Sequence, residues 1–242
     1  MNYPELLERQ ISVWGLTLGD GERNLLVDYA SLLASYGQSN VIGTKDLNSI
    51  LLHHILDSLS CFLFEPLYRA RRLADVGSGG GLPGIPILIA KPDLTTTLIE
   101  STGKKCRFLN YAAETLAPGR AMVANARVED LARSSAHRAA YDVATTRALA
   151  RLSVIAEYCV PLLQVGACAI SMKAHLEHAE LSEGQRAADL LGAKISERIK
   201  VPCIPELTDR VRQLVIIEKV HETHPRYPRR PGTPTKRPLG AA

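Results

Sequence analysis

Leu73-Ala-Asp75-Val-Gly77-Ser-Gly79-Gly80-Gly81-Leu82-Pro83-Gly84 decides how the rest of the chain is read. Arg72 to Val76 is a short apolar run with the look of a strand. Glycines then turn the chain, and an apolar helix follows. Glycine permits a sharp turn and lets a ligand approach the backbone without a Cβ in the way. In open α/β sheets, ligands bind just beyond the carboxyl ends of the strands, where this turn falls.

Working outward, strands are predicted at Thr95–Glu100, Ala121–Asn125, Tyr141–Thr146, Gly166–Lys173, Lys194–Val201 and Val211–Ile217. Helices are predicted at Lys105–Leu116, Leu152–Leu163 and His175–Leu191. The alternation argues for an α/β fold, a mostly parallel sheet with helices on both faces. Upstream, Leu6, Leu7, Ile11 and Trp14 share one helical stripe, and Leu25, Leu26, Tyr29, Leu32 and Leu33 form another. Asp20 lies in the turn between them as a candidate cap. Asn40–Thr44 reads as a loop and Leu47–Leu67 as a further helix. The chain thus divides into a helical region packed on the core (1–70), an α/β core (71–220) and a basic, proline-rich tail (221–242). With five prolines and almost no aliphatic side chains, the tail is expected to be extended or disordered.

The chain has 242 residues, of which 46% are hydrophobic, enough to build a sizeable core. No apolar run approaches the ~18 residues of a membrane span. The first ten residues carry acids and no signal-peptide core, so a soluble cytoplasmic protein is expected. Cys61, Cys106, Cys159, Cys168 and Cys203 are scattered without paired spacing, which suggests neither a disulfide framework nor a zinc site. His175/His178 and His221/His224 lack converging ligands, so no metal is expected. Residues 1–70 carry four basic and eight acidic side chains, residues 71–220 twenty and sixteen, and residues 221–242 five and one. A basic core with a basic tail suits a polyanionic partner, and deletion of residues 225–242 is expected to weaken its binding.

Two ligand classes compete for the turn. Gly79-Gly-Gly81-Leu-Pro-Gly84 satisfies the dinucleotide pattern, with Glu100 at a suitable distance to meet a ribose. The alternating Gly77, Gly79 and Gly81 fit S-adenosylmethionine better, and Asp75 is placed to meet that cofactor's ammonium, directly or through water. Glu100 would then accept both ribose hydroxyls.

Several motifs occur in order: His54-Ile-Leu-Asp57-Ser58, Asp75 through Leu82-Pro-Gly-Ile-Pro86, Glu100-Ser-Thr-Gly-Lys104-Lys105, Arg107-Phe-Leu109, Arg127-Val128-Glu129 and Thr146-Arg147-Ala148. Together they resemble the bacterial small-subunit ribosomal RNA guanine-N7 methyltransferase family, RsmG or GidB. The resemblance runs from about Asn40 into the tail. It implies a Rossmann-like class I S-adenosylmethionine-dependent methyltransferase with N-terminal helices. The implied reaction methylates N7 of one guanine in 16S rRNA, in the free RNA or the 30S subunit, and the enzyme is expected to act as a monomer. It places Gly77 and Leu82 at the cofactor, with Gly79 in the same turn, Val128 and Glu129 beside the adenine, and Arg147 in the cofactor pocket. Where members carry a Trp-Asn pair, this chain has Ser35-Tyr-Gly-Gln-Ser-Asn40-Val-Ile42.

The chemistry agrees. Guanine N7 has an in-plane lone pair and no proton, so positioning would supply most of the catalysis and no catalytic base is expected. Thr145-Thr-Arg-Ala148 stands where amino-directed enzymes often carry Asn/Asp-Pro-Pro-Tyr. Cys203 follows Pro202, the pairing that cytosine-C5 enzymes use, but far from the expected ligand edge. Arg147 has three readings: it holds the cofactor, orients the guanine, or bridges to Asp142 or Glu129. Lys104, Lys105 and Arg107 are either RNA phosphate contacts or a solvated helix start. His54 and Asp57, three apart, form a hydrogen-bonded pair or part of the RNA pocket.

Overall fold

The computed structural model describes residues 3–37, 42–202 and 211–241. Helix α1 spans Tyr3–Ile11 and α2 Asp20–Ser35. Asp20 is the first helical residue rather than a cap: Gly19 holds the cap position, and Asp20 pairs with Arg23. Asn40 and Val41 of the expected loop, and Cys203, lie outside the described residues.

The segment from 47 to 69 is not one helix. It runs through α3 (Leu47–Ile50), a wide π turn (Leu51–Leu56), α4 (Asp57–Leu59) and 3-10 turns at Ser60–Leu63 and Glu65–Arg69. Asp46 caps α3, accepting from the Ser49 amide at 2.7 Å.

The α/β core then follows as β1 (Arg72–Val76), α5 (Gly84–Ala90), β2 (Thr95–Glu100), α6 (Gly103–Leu116), β3 (Ala121–Asn125) and α7 (Val128–Leu131). It continues as β4 (Tyr141–Arg147), α8 (Leu152–Cys159), β5 (Leu163–Lys173), α9 (His178–Leu190), β6 (Ala193–Lys200) and β7 (Gln213–Lys219). The seven strands lie in the order β3-β2-β1-β4-β5-β7-β6. Strands β1 to β5 pair in parallel, and β7 runs antiparallel to both β5 and β6. The order reverses between β1 and β4, and the glycine turn leaves β1 at that switch point.

Successive strand residues feed opposite layers, as a period of two requires. Leu73, Leu98, Val143, Ile170 and Ile216 join one core with the N-terminal helices, α5 and α6. Their neighbours Ala74, Ile99, Ala144, Ala169 and Ile217 join a second core with α8 and α9. The N-terminal region therefore covers one face of the sheet. Among the described residues, no helix is long and apolar enough to cross a membrane.

The carboxyl-terminal segment is packed, not extended. Tyr227 is buried, and Thr233–Lys236 forms a short helical turn, α10. Arginines do the work that aliphatic side chains do elsewhere. Arg138 donates to the carbonyls of Thr223 (2.7 Å) and Tyr227 (2.8 Å), and Arg133 to those of Arg226 and Pro228. Arg229 pairs with Glu157 of α8, whose side chain is fully buried. Composition predicted disorder because it counts apolar area, and these charge-assisted bonds are invisible to it.

Candidate active site

The glycine turn is fastened from below. Gly77 and Ser78 donate their amides to the Ile99 carbonyl at 2.9 and 3.0 Å, tying the turn to β2. Gly77 has φ +73°, and a Cβ there would stand 2.6 Å from Leu149 Cδ1. Gly84 lies so close to β1 that a Cβ would be 2.7 Å from Asp75 Oδ2. From α2, the Tyr29 hydroxyl donates to the Gly80 carbonyl.

Asp75 is fully buried, and its carboxylate accepts from Thr145 Oγ1 (2.9 Å) and the Gly84 amide (3.2 Å). It binds β1 to β4 and to the start of α5, which gives it a structural role at the base of the turn. Burial pushes its pKa up to about 6.

Beside the turn lies a cavity of about 380 Å³, within the range of small-molecule sites. Gly77, Glu100, Val128, Glu129, Arg147 and Lys105 border it, so five of the seven expected cofactor residues converge there. Glu100 Oε2 accepts from the Gly79 amide (3.1 Å) and Oε1 from the Thr102 amide (2.8 Å). Two N–H bonds hold the carboxylate still while lone pairs remain on both oxygens. Gly79 thus serves the cavity through Glu100. Leu82 instead packs against the first core.

A second cavity, of about 280 Å³, adjoins the first at Arg147 and Ala148. His53, Asp57, Lys173 and Arg212 border it. Arg147 spans the junction. Its guanidinium donates to the carbonyls of His53 and His54, both at 3.1 Å, and reaches His54 Nδ1 at 2.7 Å and Asp57 Oδ2 at 3.4 Å. Both carbonyls belong to the π turn, and that of His54 also accepts from the Asp57 amide and, at 2.6 Å, from the Ser58 hydroxyl. The expected partners Asp142 and Glu129 are engaged elsewhere: Asp142 accepts from the amides of Arg71 and Arg72, and Glu129 from that of Gly232. Asp57 also meets Arg212 at 2.7 Å. Ala148 adopts φ +50°, an unusual conformation for a residue with a Cβ, between the two cavities.

The basic trio divides. Lys105 borders the first cavity, Lys104 is exposed, and Arg107 lines a separate groove with Tyr36 and Tyr111. His53, Lys173, Arg212, Tyr158 and Thr235 went unnoticed in the sequence. The last four come from β5, the residue just before β7, α8 and α10, and only the tertiary fold gathers them. Among the described residues, no group of three or more His, Cys, Asp or Glu side chains could hold a metal.

A seven-stranded sheet of this order, with a glycine turn and a cavity at its switch point, defines a Rossmann-like class I methyltransferase. Solved structures share that fold. An O-methyltransferase of tomaymycin synthesis from Streptomyces achromogenes, crystallised with S-adenosylmethionine, covers 91% of this chain and all of its own at 14% identity and a TM-score of 0.56. A provisionally named RNA methyltransferase from Pyrococcus horikoshii matches at 10% identity and the same TM-score, covering 86% of this chain and all of its own.

The GidB family, described as rRNA small subunit methyltransferase G, matches residues 22–206. A member from Rubrobacter xylanophilus is 53% identical over 97% of this chain and 90% of its own length. Another from Lactobacillus johnsonii is 34% identical over 98% and 99%. The chain belongs to the rRNA small subunit methyltransferase G family.

Proposed function

We propose that this chain methylates small-subunit ribosomal RNA at N7 of a single guanine, using S-adenosylmethionine. The enzyme class and the cofactor follow from its family. When bound, the cofactor supplies an electrophilic methyl group on a sulfonium. The cavity beside the glycine turn fits it. Glu100, at the end of β2, would accept the ribose hydroxyls with its remaining lone pairs. Val128 and Ile99 offer apolar walls to the adenine, and Glu129 lies beside them. The second cavity would take the target guanine, which Arg147 and Asp57 would orient across the junction.

One observation favours N7 over a site that must lose a proton. Asp57, the acid that borders the second cavity, is already engaged by the guanidinium groups of Arg147 and Arg212, and behind it His54 Nδ1 meets Arg147. Those contacts hold the Asp57 carboxylate in place beside the cavity. N7 carries no proton, so orientation and exclusion of water suffice. Lys104, Lys105 and Arg107 start the helix after Glu100, where basic residues oppose the helix dipole, and they would meet RNA phosphates.

Labelled cofactor incubated with 30S subunits lacking the modification tests the reading. Nucleoside mass spectrometry should find one 7-methylguanosine in 16S rRNA. Label on an exocyclic amine or a ribose would overturn it.

A further inference from the structure

The first cavity has a wall that no local motif foretells. Thr235, in α10, borders it together with Tyr158 of α8, and their hydroxyls are 3.0 Å apart. Three residues earlier, the Gly232 amide donates to Glu129 Oε1 at 2.9 Å. Glu129 is buried and borders the same cavity. The segment reaches this position through Arg229, whose guanidinium and amide make four bonds of 2.6 to 3.1 Å to the fully buried Glu157 carboxylate. Glu157 and Tyr158 are adjacent in α8, so the anchor and the cavity wall are one rigid unit.

We infer that residues 229–236 are part of the cofactor site: a carboxyl-terminal strap that closes the Val128–Glu129 end of the cavity and docks in concert with the cofactor. The inference rests on the cofactor reading above. Gly232 holds Glu129 in place, so Gly232 and Arg229 are positioning residues, and Thr235 supplies a hydroxyl at the wall. Coupling is reciprocal: if docking of the strap favours cofactor binding, binding must tighten the strap.

Calorimetric titration of the full chain with S-adenosylhomocysteine tests this, alongside amide hydrogen exchange. Thr235 is solvent-exposed, so Thr235→Val should fold normally; losing its hydroxyl should raise Kd by about threefold to tenfold, with recovery in Thr235→Ser. Arg229→Gln should raise Kd by about tenfold or more, because only the docked fraction binds well. Exchange at Gly232 and Arg237 should slow in the unmodified chain when the ligand is added. Unchanged Kd in Thr235→Val, with exchange in 229–237 indifferent to ligand, would overturn the strap while leaving the cofactor reading intact. Failure of the unmodified chain to bind S-adenosylhomocysteine would overturn both, and is a separate result.

Discussion

At Gly77 the backbone and any incoming ligand compete for the same space. The residue sits at φ +73°, which an L side chain adopts only at a cost of about 1–2 kcal/mol, and a Cβ would strike Leu149 at the cavity's edge. Gly77→Val is therefore expected to weaken S-adenosylhomocysteine binding at least about tenfold, by strain and by occupying the cavity. Calorimetry that returned an unchanged Kd would remove Gly77 from the site. Asp75 yields a different kind of prediction. Its carboxyl keeps its proton up to about pH 6 in the folded chain, against an ordinary value of 3.8. Between those values the native state holds more protons than the unfolded chain, so stability falls as pH rises through the window, by about 3 kcal/mol at most. Below it the benefit is fully present. Asp75→Asn can still accept from Gly84 and donate to Thr145, so it should fold and show a flatter profile from pH 4 to 6.5. Urea titrations at several pH values check this, and parallel profiles would contradict it. Asp75 was conspicuous in the sequence for its spacing from the glycines. Spacing could not say which way the side chain points, and burial turned a ligand candidate into a clasp.

Elements differ in how plainly the sequence announces them. Strands β1 to β3 end where glycine, proline or polar residues interrupt a short apolar run, and their boundaries were legible residue by residue. The stretch from 47 to 69 reads as one helix because its apolar residues keep helical spacing. Nothing in that spacing reports the π turn at Leu51–Leu56, two of whose carbonyls accept from Arg147, a residue more than ninety positions away. The tail failed for a related reason: its partners, Glu157 and Glu129, are remote in sequence. Glu157 lies at 0% exposure with Arg229 as its counter-ion. Arg229→Met should cost about 3–5 kcal/mol, since it leaves a buried carboxylate uncompensated. Changing both partners, as Glu157→Gln with Arg229→Gln, should recover a large part of that loss. Denaturant midpoints of the two variants measure the difference, and equal losses would show that the pair is not coupled.

Over the whole molecule, basic side chains divide between those committed to the fold and those left at the surface. The arginines at 133, 138 and 229 are committed to holding the carboxyl-terminal segment. Lys104 and Arg107 are exposed on α6, Lys104 beside Lys105 of the cavity border and Arg107 in the separate groove with Tyr36 and Tyr111. In the tail, Arg226, Arg230, Lys236 and Arg237 remain exposed as well, so α6 and the tail both offer phosphate contacts. Lys104→Gln with Arg107→Gln should weaken binding to small-subunit RNA and lower the slope of log affinity against log salt by about one to two, with S-adenosylhomocysteine affinity unchanged. An unchanged slope would return both residues to ordinary surface. Deleting residues 225–242, by contrast, should destabilise the fold, not merely trim an RNA arm.

The Arg229–Glu157 pair also has a genetic meaning. The codon for Arg229 specifies the residue that neutralises a charge buried in the core. A stop codon at position 228 would strand that charge, so it should behave like a null allele, not a mild truncation. For the same reason the fold is incomplete while the chain is still being made. The counter-ion for α8 follows Glu157 by 72 residues, so it leaves the exit tunnel well after α8 does.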